Sequence, residues 1–285
     1  MDNRRKSKTI YVGNVPIGGQ APVSIQSMTN TKTADVVATV KQINALAEAG
    51  CQIVRLTVND QEAAEALPAI LKQVRVPLIA DIHFDYTMAL ASIAAGVQGL
   101  RLNPGNIGSV ARVKKVVQAA KEKGIPIRIG VNGGSLDKFL LQKYGGITAD
   151  AMVESALQHI ALLEKESFYD IKVSMKSSDL SLMLEAYRKL GQLCKYPFHI
   201  GVTEAGTLKQ GTIKSAVGIG ALLAEGLGDT IRVSLPGNPL AEIPVAKEIL
   251  KSLGLKREGI EYIVCPTCGR TQIDVAGIAA LLEQE

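Results

Sequence analysis

The sequence predicts an α/β fold: a (β/α)8 barrel of the TIM type over residues 1–255, followed over 256–285 by a short α+β tail that is surplus to the barrel and too small to be a domain alone. Three observations carry this expectation. Short runs rich in Val, Ile and Leu recur along the chain, amphipathic helical segments separate them, and no Gly-x-Gly-x-x-Gly follows the first run. Alternating strands and helices force parallel pairing, and a set of eight closes more readily into a barrel than into an open dinucleotide-binding sheet.

The eight strand candidates are Val23 to Met28, Ile53 to Val58, Leu78 to Ile82, Gly99 to Asn103, Ile127 to Val131, Ile171 to Ser174, His199 to Thr203 and Thr230 to Leu235. Between the first two, Asp35 to Gly50 places Val36, Val40, Ile43 and Ala47 on one helical face, with Gly50 as the stop. Ser109 to Gly124 repeats that design with Ser109 as N-cap, Val113, Val116, Val117 and Ala120 on one face, and Gly124 then Pro126 as the stop. A last barrel helix is expected from Pro239 to Leu253. Beyond it lie a ninth strand candidate, Ile260 to Val264, and a final helix, Thr271 to Glu285.

Composition narrows the function classes. With 47% apolar residues in 285, the chain can bury a full core, which excludes a disordered segment. The net charge of +5 is mild, and with four Phe and no Trp there is no stacking platform for nucleic acid. The basic N-terminus runs directly into "TIYVGNVPIGG" without the apolar stretch of a signal peptide, and glycines interrupt "SAVGIGALLAEGLG" well short of a membrane span. A cytoplasmic protein without a membrane or nucleic-acid partner is expected. Cys51 and Cys194 read as ordinary buried thiols.

The chemistry sits on five strands. Each carries a base between apolar neighbours: Arg55, Arg101, Arg128, Lys172 and Arg232. Period-two alternation turns the neighbours toward the helices and the bases toward the lumen, with Thr57, Asn103, Gly130, Ser174 and Ser234 two residues further on. Asp81 and Glu204 are the clear lumen-side acids, so pairing leaves about three positive charges over, and a surplus of buried charge calls for a bound anion. "NPGNIGS", "TEAGTLKQGT" and "SLPGNP" are Gly-rich loops that lead into helix N-termini on the same face, where free N–H groups favour phosphate. Asp81 with His83, Asn132, Lys176 and Glu204 complete the candidates there; His159 and His199 have no such support. The expected ligand is a multiply charged phosphorylated small molecule.

"VCPTCGR" places Cys265 and Cys268 on one turn, half of a zinc or iron-sulfur site, or else an unliganded or redox pair. Together with "YVGNVPIGG", "QSMTNT", "PLIADIHFDY", "RLNPGNIG", "IPIRIGVNGGSL", "KVSMKSSD", "TEAGT" and "RVSL", this motif resembles the bacterial 4-hydroxy-3-methylbut-2-enyl-diphosphate synthases of the methylerythritol phosphate route to isoprenoids, from about Lys8 onward.

The resemblance implies two-electron reductive ring opening of 2-C-methyl-D-erythritol 2,4-cyclodiphosphate, with loss of water. It implies a 4Fe-4S cluster fed by ferredoxin or flavodoxin, and a homodimer in which the cluster domain of one subunit closes over the barrel of the other. Arg55, Arg101, Arg128, Lys172 and Arg232 match the bases that hold the diphosphate, with Asn103, Asn132, Ser174 and Ser234 beside them. Glu204 matches the proton donor, and Asp81 and His83 fall in the pocket. Cys265 and Cys268 match two of four cluster ligands; the third Cys and the Glu have no counterpart here, so a truncated chain that binds substrate without assembling a full cluster is expected. The readings left beside this are a pterin-diphosphate type of phosphate-binding barrel transferase and a zinc-stapled binding module.

Overall fold

The computed structural model describes residues 4–284. The chain opens with a hairpin, β1 (Ile10–Val12) and β2 (Val15–Ile17), antiparallel across a turn in which Gly13 takes a φ of 57°. Then come β3 (Ser24–Met28), α1 (Val36–Glu48), β4 (Ile53–Thr57), α2 (Gln61–Leu71), β5 (Leu78–Asp81), α3 (Tyr86–Ala95), β6 (Gly99–Leu102), α4 (Val110–Lys123) and β7 (Ile127–Asn132). Two helices, α5 (Lys138–Tyr144) and α6 (Ala149–Glu164), cross over to β8 (Ile171–Lys176). It is followed by α7 (Leu180–Leu193), β9 (His199–Ile200), α8 (Leu208–Ala224), β10 (Thr230–Ile231) and α9 (Glu242–Ser252). The tail ends in α10 (Val275–Gln284).

Strands β3 to β10 pair in parallel in chain order, with β10 beside β3, and the bridge Val173↔Phe198 closes the ring between β8 and the residue before β9. The expected (β/α)8 barrel is therefore present. Its main core lies between strands and helices, where Val54, Leu56, Ile127, Val173 and Ile231 meet Ile43, Leu67, Val116 and Ile243. A second cluster joins Ile10, Val12 and Ile17 of the hairpin to Ile53 and Ile79, so the hairpin plugs the amino end of the barrel. The plug was legible as alternating apolar residues around Gly13-Asn14, the usual signal for a tight hairpin.

Local chemistry sets the helix boundaries. Asp35, Asp60, Asp85 and Asp179 each accept a backbone N–H from the first turn of the helix that follows, and Gly96 and Gly124 end α3 and α4 in left-handed conformation. In α4, Val113, Val116, Val117 and Ala120 are all buried as the periodicity predicts. In α1 the buried face centres on Thr39, Ile43 and Leu46, with Val36 and Val40 at its margin, because Thr39 satisfies its hydroxyl on the Lys32 carbonyl.

Three expectations need correction. Strands β9 and β10 are two residues long rather than five and six: a side chain at Gly201 would overlap the Arg232 carbonyl, and beyond that close approach both chains turn into mouth loops. Ile260 to Val264 forms no strand, since no partner edge is offered and its apolar side chains stay exposed. The final helix starts at Val275, where Asp274 Oδ1 accepts the Gly277 N–H, and Glu285 lies outside the described residues. From Arg257 to Leu282 no residue is buried.

Candidate diphosphate site and cysteine pair

Strand tilt turns the register into levels inside the barrel: at constant height, each step to the next strand advances one residue, and alternate strands contribute to each level. The pairs Gln26↔Ile53, Arg55↔Ile79, Ile79↔Gly99, Arg101↔Arg128, Arg128↔Lys172 and His199↔Thr230 fix the order. Ile53, Gly99, Lys172 and Thr230 are lowest, above the hairpin plug. Gln26, Ile79, Arg128 and His199 come next, then Arg55, Arg101, Ser174 and Arg232, then Met28, Asp81, Gly130 and Gly201. Thr57, Asn103, Lys176 and Ser234 form the rim, with Asn132 one step higher.

Six bases thus share one lumen, and among the described residues only two carboxylates, Asp81 and Glu242, answer them directly. Asp81 lies 3.4 Å from Arg55 Nε and 3.1 Å from Arg101 Nη1. Burial alone would raise its pKa, but Arg55, then Arg101 and Arg128, outweigh that and hold it at about 2. Arg55 is brought down to about 10 by burial, with Asp81 opposing. The Met28 thioether accepts from Arg55 Nη2 at 2.8 Å and stands 3.6 Å from Arg232 Nη1, an acceptor that sequence reasoning missed.

The second carboxylate is Glu242, not Glu204. Glu242 is 2% exposed at the start of α9 and takes Arg232 Nη2 at 3.2 Å, Ser27 Oγ at 2.8 Å and the Leu235 N–H at 3.3 Å. Its signal in the sequence is its position four and seven residues before Ala246 and Ile249, on the apolar face of the last helix. Glu204 stands exposed in the β9–α8 loop with a φ of 50°, because the strand ends at Ile200 and the chain has already turned out of the barrel. Left-handed backbone at a residue other than glycine is strained, and such strain clusters at functional sites.

Arg128, Lys172 and Lys176 have no carboxylate of their own. Arg128 is 2% exposed with Nε and Nη1 unpartnered, and Lys172 is 1% exposed with Nζ unpartnered. Burial pushes the pKa of all three well below the ordinary value, and neighbouring arginines push the same way. The rim lysine is Lys176, paired in register with Asn132; Lys172, expected at the mouth, lies two levels below Arg232's because it precedes Lys176 by four residues on one strand.

The other expected residues fall around the mouth. Asn103 is buried and folds its Oδ1 onto the Gly105 N–H, which shapes the "NPGN" turn. Ser174 Oγ reaches the Ile129 carbonyl at 3.4 Å, while Asn132 and Ser234 remain half-buried. His83 is half-buried in the β5–α3 loop beside Phe84; the oxygens of Asp81 go to arginines rather than to this imidazole. His199, set aside in the sequence, is fully buried in the lumen with both ring nitrogens unpartnered, and alternation with Ile200 and Val202 was the signal.

Cys265 and Cys268 are exposed on the tail, and the Arg270 backbone and side chain hold the Cys268 thiol below its ordinary pKa. Among the described residues no three His, Cys, Asp or Glu side chains come together to hold a metal. Two thiolates do not make a four-ligand site, so the described residues alone do not fit a cluster. Cys51 is buried and pushed up to about 12 by burial, as an inert core thiol should be.

Fold and lumen define a (β/α)8 barrel with a cationic interior. The family model described as the GcpE TIM-barrel domain matches residues 7–247, and the chain belongs to the GcpE family. It is 62% identical over 281 residues to a protein from Fusobacterium nucleatum named 4-hydroxy-3-methylbut-2-en-1-yl diphosphate synthase (flavodoxin), covering 99% of this chain and 79% of that one. A Clostridium perfringens protein of the same name is 60% identical over 282 residues, 99% of this chain and 81% of its own length. Dihydropteroate synthase from Stenotrophomonas maltophilia shares the fold, at a TM-score of 0.62 and 13% identity over 87% of this chain and 98% of that structure. No helix among the described residues is long and apolar enough to cross a membrane.

Proposed function

We propose that the barrel binds 2-C-methyl-D-erythritol 2,4-cyclodiphosphate for conversion to 4-hydroxy-3-methylbut-2-enyl diphosphate. The ring-opening reaction takes up two electrons and two protons and releases one water. The observation that carries the proposal is the cationic excess of the lumen: Arg128, Lys172 and Lys176 are buried without a carboxylate, inside a chain about 60% identical to synthases of that product. A diphosphate supplies the missing negative charge, and arginine is the donor suited to its oxygens.

In this reading Arg55, Arg101, Arg128, Arg232 and Lys176 neutralise the two phosphates, and Asn103, Asn132, Ser174 and Ser234 give neutral hydrogen bonds around them. Lys172 adds charge from beneath. Glu204 at the rim delivers a proton to the departing oxygen. Asp81 holds Arg55 and Arg101 in place, and His83 covers the pocket from the β5–α3 loop. Cys265 and Cys268 supply two ligands to an iron-sulfur cluster, a group that would carry single electrons from flavodoxin or ferredoxin. Residues 1–255 act as the substrate-binding unit and 256–285 as part of the cluster-bearing unit, in a cytoplasmic homodimer.

The pterin-transferase and zinc-module readings are not favoured, since the likeness to dihydropteroate synthases is one of fold alone. Titration calorimetry with the cyclic diphosphate tests the proposal. Arg128→Met should weaken binding about 10- to 100-fold, the loss of one or two charge-assisted hydrogen bonds. Unchanged affinity, or binding of a pterin diphosphate in its place, would overturn it.

A further inference from the structure

Below the mouth the barrel interior is divided. On β4 to β6 the two lowest levels hold Ile53, Gly99 and Ile79, covered by the apolar plug. On β3 and β7 to β10 the same depth holds Gln26, Arg128, Lys172, His199 and Thr230, with Ser24 directly beneath Gln26; all six are at most 2% exposed. Nine of their side-chain atoms have no partner: Ser24 Oγ, both ends of the Gln26 amide, Arg128 Nε and Nη1, Lys172 Nζ, both nitrogens of His199 and Thr230 Oγ1. Buried polar atoms are almost always satisfied, so a concentration of this kind marks something that fills it.

The chemistry of the six selects the occupant. Every one can donate a hydrogen bond, two are cations, and no carboxylate enters the group. Asp229 is the acid whose charge acts on Lys172, but its oxygens are already shared among Arg4, Arg5, Ser7 Oγ and the Phe198 N–H. Two enclosed like charges without a counter-ion are strongly unfavourable. We infer that this inner half-layer is a cage for one small monovalent anion of halide size, held between Lys172, Arg128 and the hydroxyl and amide donors around them, beneath the proposed diphosphate site and joined to it through Arg128. The anion keeps Lys172 protonated and offsets charge that would otherwise splay the arginines at the level above.

Protein prepared in gluconate and titrated with chloride at constant ionic strength reads the cage directly. Chloride should raise the Tm by about 5 °C at concentrations well above its Kd, the rise following the logarithm of chloride concentration. Lys172→Met should abolish the chloride-specific part of that rise. Should this variant fail to fold, bromide-soaked crystals of the unaltered chain decide, with an anomalous peak expected between Lys172 and Arg128 that persists under saturating inorganic pyrophosphate. Ordered waters alone in the cage, bromide only at Arg55 and Arg101, or bromide displaced by pyrophosphate would each overturn the inference. Calorimetric binding of pyrophosphate to the same protein reports the mouth independently, so failure of the cage and failure of the proposed function are told apart.

Discussion

Glu242 of α9 grips Arg232 with both oxygens, Oε1 at 3.2 Å from Nη2 and Oε2 at 3.4 Å from Nε, and so ties the last barrel helix to the cationic mouth. Glu242→Gln removes the counter-charge but leaves the arginine half-enclosed. A loss of about 3 kcal/mol in urea unfolding is expected, as for a buried pair deprived of one partner. Inorganic pyrophosphate should restore more stability to the variant than to the unaltered chain, because it offers Arg232 the charge it has lost. Equal stabilisation of the two proteins would show that Arg232 does not face the anion.

Gly130 owes its identity to Arg101. A side chain built there would stand 2.7 Å from Arg101 Nε and 2.9 Å from Nη2, so the Nε–Nη2 edge of the guanidinium closes on the glycine. The atoms in the way are the end of a flexible side chain, and Gly130→Ala should fold with a loss of about 1 kcal/mol. Arg101 must then leave Asp81 or its place under the anion. Affinity for the cyclic diphosphate should drop about tenfold, read by calorimetry, while affinity unaltered by the methyl group would deny Arg101 a part in binding.

Most of this lumen could be read from alternation alone. Arg-x-Asn after Leu100 and Arg-x-Ser after Ile231 announce inward bases with polar residues two positions further on, and the structure puts the two arginines on one level and Asn103 and Ser234 on the rim two levels above. What alternation could not reveal was depth. Lys172 reads as an inward strand base and Lys176 as a further candidate on the loop face, and only the stagger of eight tilted strands shows which is sealed and which forms the rim. The partners of Glu242 and of the hairpin plug were hidden for a related reason. Both act across the barrel from sequence-distant positions, so their partners are fixed by closure and not by local pattern.

Acid should loosen the barrel through Asp81. Its pKa in the fold, about 2, lies below the model-compound value of 3.8, so the folded state binds the proton less readily than the unfolded chain. The stability from its pairs with Arg55 and Arg101 is therefore fully present above pH 4 and is lost as pH falls from about 4 to 2. Asp81→Asn should be less stable at neutral pH and show a flatter dependence across that window in urea titrations. Parallel curves for the two proteins would mean that another acid governs the loss.

The tail poses the question of how much of a cluster site two thiolates can make. Cys268 sits where the Arg270 N–H and guanidinium favour thiolate, and its N–H is held by Thr271 Oγ1 at 3.0 Å, so the turn is shaped before any metal arrives. Yet a 4Fe-4S cluster asks for four ligands, and the described residues bring no third donor to this turn. Anaerobic reconstitution of these 285 residues with iron and sulfide should therefore give well under one cluster per chain, and what binds should be lost on gel filtration. Cys265→Ser or Cys268→Ser should abolish even that fraction while leaving cyclic diphosphate binding intact, because the thiols lie on the exposed tail and the proposed anion site lies in the barrel. A stoichiometric, stable cluster in the unaltered chain would require two further ligands from its own residues, and spectroscopy of His, Asp and Glu variants would then have to find them.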